Sequence, residues 1–566
     1  MPTVSRNETI KAESRLLRGG IADGLDRAET GAIAEDDTQL TKFHGIYQQD
    51  DRDLRPERAR KKMEKAFSFM ARVRIPAGVL SAAQWLALDT LARSRGNGTL
   101  RLTTRQTVQL HGVIKSNLRP AIQGLNQALL DTIAACGDVN RNVIASSIPT
   151  SAVHAEILSA ARAVSQHLLP KSRAWHEIFI DGELATPAGQ EDEPILGRTY
   201  LPRKFKIALA VPPLNDVDVF AHDLGCITIV EEGKLAGYNV VVGGGMGMTH
   251  GEPDTFPRTG DVIGFCTPEQ LLAVAEQVVT IQRDWGDRAD RKHARLKYTI
   301  ERRGLDAFTA ELSRRLGWSL LPPRPYEFTR SGDPTGWLEG ADGLSHFVLF
   351  VENGRISDRP DRPLLSGLRA IASSHDGRFI LTPNQNLVIA DISPEQRPRL
   401  AELLSAHGLD RPPSSLRRNA MACVALPTCG LALAESERFL PTLISSLEET
   451  AAANGLAADE ITIRMTGCPN GCARPYLAEI GLVGVRPGIY NLYLGGAFDG
   501  TRLGKLYRRE LAHDGILSAL APLFSTYASS RMQNEHFGDF VIRTGVVRAT
   551  TAGNRFHHDL SPDLAA

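Results

Sequence analysis

Four of the chain's seven cysteines fall in two close pairs, with spacings that suit a metal centre. Cys423 and Cys429 are separated by five residues in Ala-Cys-Val-Ala-Leu-Pro-Thr-Cys, and Cys468 and Cys472 by three in Thr-Gly-Cys-Pro-Asn-Gly-Cys. Four thiolates suit an iron–sulfur cluster or tetrahedral zinc. Zinc sites favour gaps of two to four residues, which the first pair exceeds. A single pair would read as buried, reduced thiols, because free Cys packs as a small hydrophobe. Two pairs, one flanked by Gly467 and Gly471 and stiffened by Pro469, favour a cluster.

The elements that must position these residues are repeated along the chain. Leu102-Thr103-Thr104-Arg105-Gln106 is echoed by Leu381-Thr382-Pro383-Asn384-Gln385 in a strand-like context, each after a helical stretch (Ser81 to Arg93, Leu364 to Ser373). Ile148-Pro149-Thr150 matches Leu426-Pro427-Thr428, and Tyr238 to Gly244 matches Tyr490 to Gly496. The offsets are 279, 278 and 252 residues, so order is kept and one half carries insertions. Two pseudo-equivalent α+β halves follow. Counting the offsets puts Ala145 and Ser151 opposite Cys423 and Cys429, so only the second half holds thiols. The first half carries cations instead: Arg141 in Val-Asn-Arg-Asn-Val, then Arg203, Lys204 and Lys206 in Leu-Pro-Arg-Lys-Phe-Lys. That division suits a redox centre facing an anion.

At 566 residues the chain is three or four domain-sized units long. Lys+Arg and Asp+Glu both number 65, so bulk charge calls for neither nucleic acid nor lipid. There is no apolar run of membrane-spanning length, no signal-peptide h-region and no secreted disulfide pattern, so the reducing cytoplasm is expected. The first forty residues are polar and read as flexible or partner-bound. Ala185 to Glu193 reads as a surface loop, and the Ala-rich 449–458 as a helix end and turn. Gly243 to Met248 lacks the sixth small residue of a dinucleotide fingerprint and reads as a tight turn open to backbone approach. His557-His558 reads as surface, Cys136, Cys226 and Cys266 as structural, and the basic run Arg291 to Lys297 as a largely solvated face.

Taken together, the cysteine spacing, the duplication, Lys42 to Asp53, Arg101 to Thr107, Tyr200 to Lys206 and Gln282 to Gly286 resemble the siroheme and [4Fe–4S] sulfite/nitrite reductase family. The resemblance implies an α+β fold with internally duplicated, pseudo-two-fold ferredoxin-like half-domains plus two siroheme- and cluster-binding α/β domains. The expected divisions are an N-terminal extension (1–60, a candidate partner-binding segment), a first half-domain (61–135), a first siroheme-binding domain with the cationic substrate side (136–325), a second half-domain (326–410) and a cluster- and siroheme-ligating domain (411–566). It further implies that Cys423, Cys429, Cys468 and Cys472 bind the cluster, with Cys472 also ligating the siroheme iron. Arg72, Arg141, Lys204 and Lys206 would bind the oxyanion, and Arg101 and Arg105 siroheme carboxylates. The implied activity is six-electron reduction of sulfite to sulfide in cysteine biosynthesis. Electrons would come from an NADPH-oxidising flavoprotein subunit. The alternatives are a ferredoxin-dependent sulfite or nitrite reductase and a non-catalytic iron–sulfur or zinc protein.

Overall fold

A computed structural model of the chain describes residues 4–171, 179–180, 183–184 and 193–560. The duplication is visible strand for strand. One five-stranded antiparallel sheet has the order Ile46–Asp50, Phe67–Arg72, Val108–Val113, Leu100–Leu102, Arg355–Ile356. A second has the order Gly336–Glu339, Ser345–Leu349, Leu387–Ile392, Arg378–Leu381, Val79–Ser81. The edge strands are exchanged: Val79–Ser81 leaves the first half to pair with Arg378–Ile380, and Arg355–Ile356 returns to pair with Leu100 and Arg101. The turns feeding them match as well. Ala77 and Asn353 take φ of 57° and 51°, and Gly78 and Gly354 take 74° and 73°. A Cβ on either glycine would press the carbonyl of the opposite half (Leu381 O at 2.7 Å, Leu102 O at 2.5 Å), so the exchange requires glycine there.

Each sheet is covered by two helices. Ala82–Arg95 starts with a Ser81/Gln84 capping box and ends on Arg93 and Arg95, which suit the negative end of the helix dipole. Leu364–Ala372 buries Leu364, Leu365, Leu368 and Ile371 at helical spacing. The two half-domains share one core, joined where Trp85 stacks on Phe379 with ring centroids 5.1 Å apart. The strand Ile46–Asp50, expected within the N-terminal extension, is an edge of the first sheet.

Two mixed sheets complete the architecture with identical topology. Ile144–Ala145, Ile207–Ala210 and Leu224–Glu231 run parallel, followed by antiparallel Lys234–Val242 and Asp261–Cys266. Ala420–Ala422, Ile463–Thr466, Ile480–Arg486, Ile489–Leu494 and Lys505–Leu511 repeat the pattern. The register corrects one sequence alignment. Ser146 N donates to Leu209 O as Cys423 N donates to Met465 O, so Ser146, rather than Ala145, is opposite Cys423. The loop after Ala422 is one residue longer before its proline, which shifts a count made backwards from Pro427.

Residues 4–40, expected to be flexible or partner-bound, are built into the fold. Arg6–Glu13, Ile21–Asp26 and Glu35–Leu40 are helical, and Glu8, Lys11, Leu17 and Leu40 are buried. Glu8 and Lys11 are buried as ion partners, while Glu13, Asp23, Asp26, Glu35 and Asp36 face solvent. Of the loop expected over 185–193, only Glu193 is described; it is buried and accepts from Lys171 N at 2.7 Å. The Ala-rich segment ends the helix Leu440–Ala453 as expected, and His557 and His558 are exposed.

Candidate active site

Both cysteine pairs emerge from the C-terminal ends of adjacent parallel strands, where open α/β sheets place their ligands. Cys423 directly follows Ala422, and Cys468 lies two residues past Thr466. The loops are stitched together: Leu433 N and Ala434 N donate to Gly467 O at 2.8 and 3.0 Å, and Cys429 N to Ala425 O at 3.0 Å. A Cβ at Gly467 would strike Ala434 O and lie 2.5 Å from the Ala425 side chain, so only glycine lets the loops approach. Gly467 N points at Cys423 Sγ and the Asn470 amide at Cys468 Sγ, each at 3.4 Å. Burial, followed by the nearby Cys472, pushes the Cys423 and Cys429 thiols up and Cys468 to about 12. Ionised sulfur here therefore needs positive charge from bound metal. Among the described residues no three His, Cys, Asp or Glu side chains are gathered tightly enough for a single metal ion. Four thiols on two stitched loops, two of them facing N–H donors, are the kind of donor set an iron–sulfur cluster takes. Thr428 Oγ1 and Thr466 Oγ1, both buried, lack partners beside them.

The cationic side is assembled from the first half. Arg141 is held by Arg141 N to Phe205 O (3.0 Å) and Nε to Ala135 O (3.3 Å). Arg72, at the end of its strand, donates Nη1 to Cys136 Sγ at 3.2 Å and Nη2 to the Gln109 amide oxygen at 2.6 Å. Arg105 Nη1 meets His222 Nδ1 at 3.2 Å and Nη2 bonds Ile207 O at 2.9 Å, leaving its buried Nε without a partner. Burial, then the crowding of Arg203, Arg295 and Arg141, pushes Lys204 down to about 7. Lys206 is pushed well down by burial and then by Arg295 and Lys204. Asp223 is the carboxylate that answers this group, taking Lys206 N and Arg295 Nη2, each at 3.0 Å. Such an excess of positive charge fits a polycarboxylate and an oxyanion.

The two sides touch. Thr104 Oγ1, in the turn that carries Arg105, donates to Cys472 O at 3.1 Å. Met248 N, after the glycine-rich turn, donates to Pro469 O at 2.9 Å, so that turn approaches the cysteine loop. Burial would lower the Arg72 guanidinium, yet the surrounding Cys136, Tyr47 and Cys472 outweigh it. Arg464 and Arg474 from the second half both grip the fully buried Asp218 of the first.

Several expectations change. Arg101 commits Nε to Glu437 (2.9 Å), Nη1 to Leu102 O (3.1 Å) and Nη2 to Ala422 O (3.0 Å); it braces the strand entering Cys423 rather than standing open to a carboxylate. Cys136 is no inert core thiol. It hydrogen-bonds Tyr47 Oη and Arg72, and although burial would raise it, Arg141 and Arg72 bring it down to about 6. Cys226 and Cys266 are core residues as expected. The run from Arg291 to Lys297 is only partly a solvated face. Arg295, its buried Nε unpartnered, points into the site, and Lys297 donates to Gly247 O at 2.7 Å, bracing the glycine turn. Tyr47 sits inside the Lys42 to Asp53 stretch without being singled out there, and Gln109 and Asp218 fall outside every motif read from the sequence.

Comparison with known proteins places the fold in a family. The pattern described as the nitrite and sulphite reductase 4Fe-4S domain matches residues 159–320, the copy without the paired cysteines. That of the nitrite/sulfite reductase ferredoxin-like half domain matches 61–128 and 338–407. The chain is 59% identical over 565 residues to a sulfite reductase [NADPH] hemoprotein beta-component of Methylobacterium sp. (strain 4-46), covering 99% of this chain and 94% of that protein. A protein of the same description from Geobacillus kaustophilus is 56% identical, covering 97% of each. The solved structure of the Mycobacterium tuberculosis NirA protein superposes with a TM-score of 0.78 at 25% identity, covering 96% of this chain and 97% of that one. The chain belongs to the nitrite and sulfite reductase family.

Proposed function

We propose that this protein is the hemoprotein component of an NADPH-dependent sulfite reductase, reducing sulfite to sulfide. The observation that carries it is the seating of the Cys472 loop against the turn that holds Arg105, whose buried Nε has no partner. Cys423, Cys429, Cys468 and Cys472 would hold a [4Fe–4S] cluster, with Cys472 shared with a siroheme. Arg105 and Arg295, each with a buried unpartnered Nε, would hold siroheme carboxylates. When bound, these groups supply the iron that takes the substrate sulfur and pass six electrons singly. The chain does the rest. Arg72 and Arg141 hold the oxyanion through fixed donors, and Gln109 and Cys136 fix the Arg72 guanidinium. Lys204, brought to about 7, holds a proton at Nζ that it can give up near neutral pH as oxygen leaves as water. Lys206, in the same group, offers a further N–H donor to the anion.

The names of the relatives point to an NADPH-oxidising flavoprotein partner rather than ferredoxin. No helix among the described residues is long and apolar enough to cross a membrane. The test is purification followed by an absorption spectrum, then sulfide formation with the flavoprotein and NADPH, compared with reduced ferredoxin and with nitrite. Siroheme absorbance and flavoprotein-driven sulfide release are expected. A colourless protein reconstituting only zinc, or turnover with ferredoxin alone, would overturn the reading.

A further inference from the structure

The N-terminal helix Arg6–Glu13 lies against the back of the two loops that present the site's cations. Lys11 is buried, its side chain 2% exposed, with Nζ 2.9 Å from Leu201 O, 3.6 Å from Asp138 Oδ2 and in contact with Glu8. Arg288 Nη1 bonds Glu8 at 2.5 Å, while its Nη2 bonds Tyr200 O at 2.8 Å. Arg291 grips Asp138 through both Nη atoms, at 2.7 and 2.9 Å, and reaches Pro202 O at 3.2 Å. From Asp138 a ladder leads straight into the site. Leu201 N bonds Asp138 O (2.9 Å), Phe205 N bonds Val139 O (3.0 Å) and Arg141 N bonds Phe205 O (3.0 Å). Arg141 thus stands three residues past Asp138, whose carboxylate Lys11 faces, and Lys204 three past Leu201, whose carbonyl Lys11 holds.

We propose that Lys11 and Glu8 are positioning residues for the oxyanion site: the N-terminal helix sets the relative placement of the Arg141 loop and the Leu201–Lys206 loop. A helix needed only for stability would dock through apolar side chains, since burying an ammonium carries a desolvation cost that hydrophobic packing avoids. The turn that follows the helix is itself held in a costly conformation. Arg15, Leu16 and Leu17 all take positive φ (52°, 60° and 66°), maintained by the burial of Leu17 and by His44 at Leu17 O.

The inference rests on the sulfite-reducing reading, and its test separates the two. Holoprotein carrying Lys11→Met, Lys11→Arg or Glu8→Gln is compared with the unaltered protein for sulfite KM, kcat and sulfite-induced spectral change. Amide hydrogen exchange over 138–141 and 201–206 is measured on each without turnover. For Lys11→Met, KM and the sulfite dissociation constant should rise about five- to tenfold with kcat within about twofold, because binding geometry is lost while chemistry is kept. Exchange in both loops should quicken, and Lys11→Arg should recover part of each effect. Should Lys11→Met load no cofactor, Glu8→Gln, which keeps the ammonium in place, carries the same comparison. Unchanged sulfite binding overturns the proposal, with or without faster exchange, and so does an effect confined to the KM for the flavoprotein, which would make the helix a partner site. Absence of sulfite turnover in the unaltered protein would instead remove the functional reading and leave the exchange result standing.

Discussion

Replacing Asp218 with Asn tests how the two halves are held around the site. Asp218 is fully buried and accepts from Arg464 Nη1 at 2.6 Å and from Arg474, both from the second half. Its backbone is left-handed, with φ 50°, a conformation that Asn adopts readily, so Asp218→Asn keeps shape and removes charge. Removing one partner of a buried ion pair costs about 3–5 kcal/mol. Here two guanidinium groups lose their counter-charge, but Arg474 keeps Pro383 O at 3.1 Å, which places the loss near the lower end, about 3 kcal/mol. At about 2–4 °C per kcal/mol for a unit of this size, thermal unfolding of the cofactor-free protein, followed by circular dichroism, should fall by about 6–12 °C. Burial would raise the Asp218 carboxyl, but Arg464 and Arg474 outweigh it and hold it below the usual range. Its stabilisation is therefore present above the ordinary carboxylate pKa and fades as pH falls through the depressed one; the Asn variant should lack that acid-side component. Because Arg474 follows Cys472 by two residues, cofactor retention should weaken as well. A fall under about 2 °C, or an unchanged acid limb, would refute the reasoning.

Cys472→Ser should remove both cluster and siroheme absorbance, while Cys429→Ser should cost iron and sulfide content first; siroheme bound normally to the Cys472 variant would rule out a shared ligand. Lys204, at about 7, carries its charge below that pH and loses it above, so sulfite KM should rise about tenfold between about pH 6 and pH 8. Lys204→Met should flatten that profile at the high-KM end, and a variant as pH-dependent as the unaltered protein would exclude this lysine. Gly467→Ala, whose Cβ would strike Ala434 O, should cost roughly 1–3 kcal/mol by overpacking and abolish cluster loading, read as iron per chain.

The chemistry-bearing residues were more legible in the sequence than their supports. The cysteine pairs and the Tyr238–Gly244 and Tyr490–Gly496 echoes announced themselves because local spacing carries them, and Gly243 and Gly495 do take matching φ of 83° and 90°. The exchanged strands were not visible. Val79–Ser81 and Arg355–Ile356 are three and two residues long, too short for any period, and their partners lie in the other half. The same limit hid Asp218, whose partners are 246 and 256 residues away. The polar N-terminus misled because composition reports how much apolar surface a segment has, not whether its charges meet partners elsewhere in the chain. Arg101 misled for a related reason: its motif marked it as important, but only the fold shows that Glu437 already occupies it.

The exchanged edge strands also bear on how the molecule is made. The first sheet has four of its strands by Val113, yet its fifth is not synthesised until Arg355, some 240 residues later. At about 5–20 residues per second, that interval lasts roughly 10–50 s, during which the Leu100–Leu102 edge stands uncovered on the nascent chain. An open edge is a template for pairing with other chains. The duplicated halves are thus no longer separable modules. A ribosome must deliver both before either sheet is closed, which ties production of intact protein to rapid, uninterrupted translation through the middle of the chain.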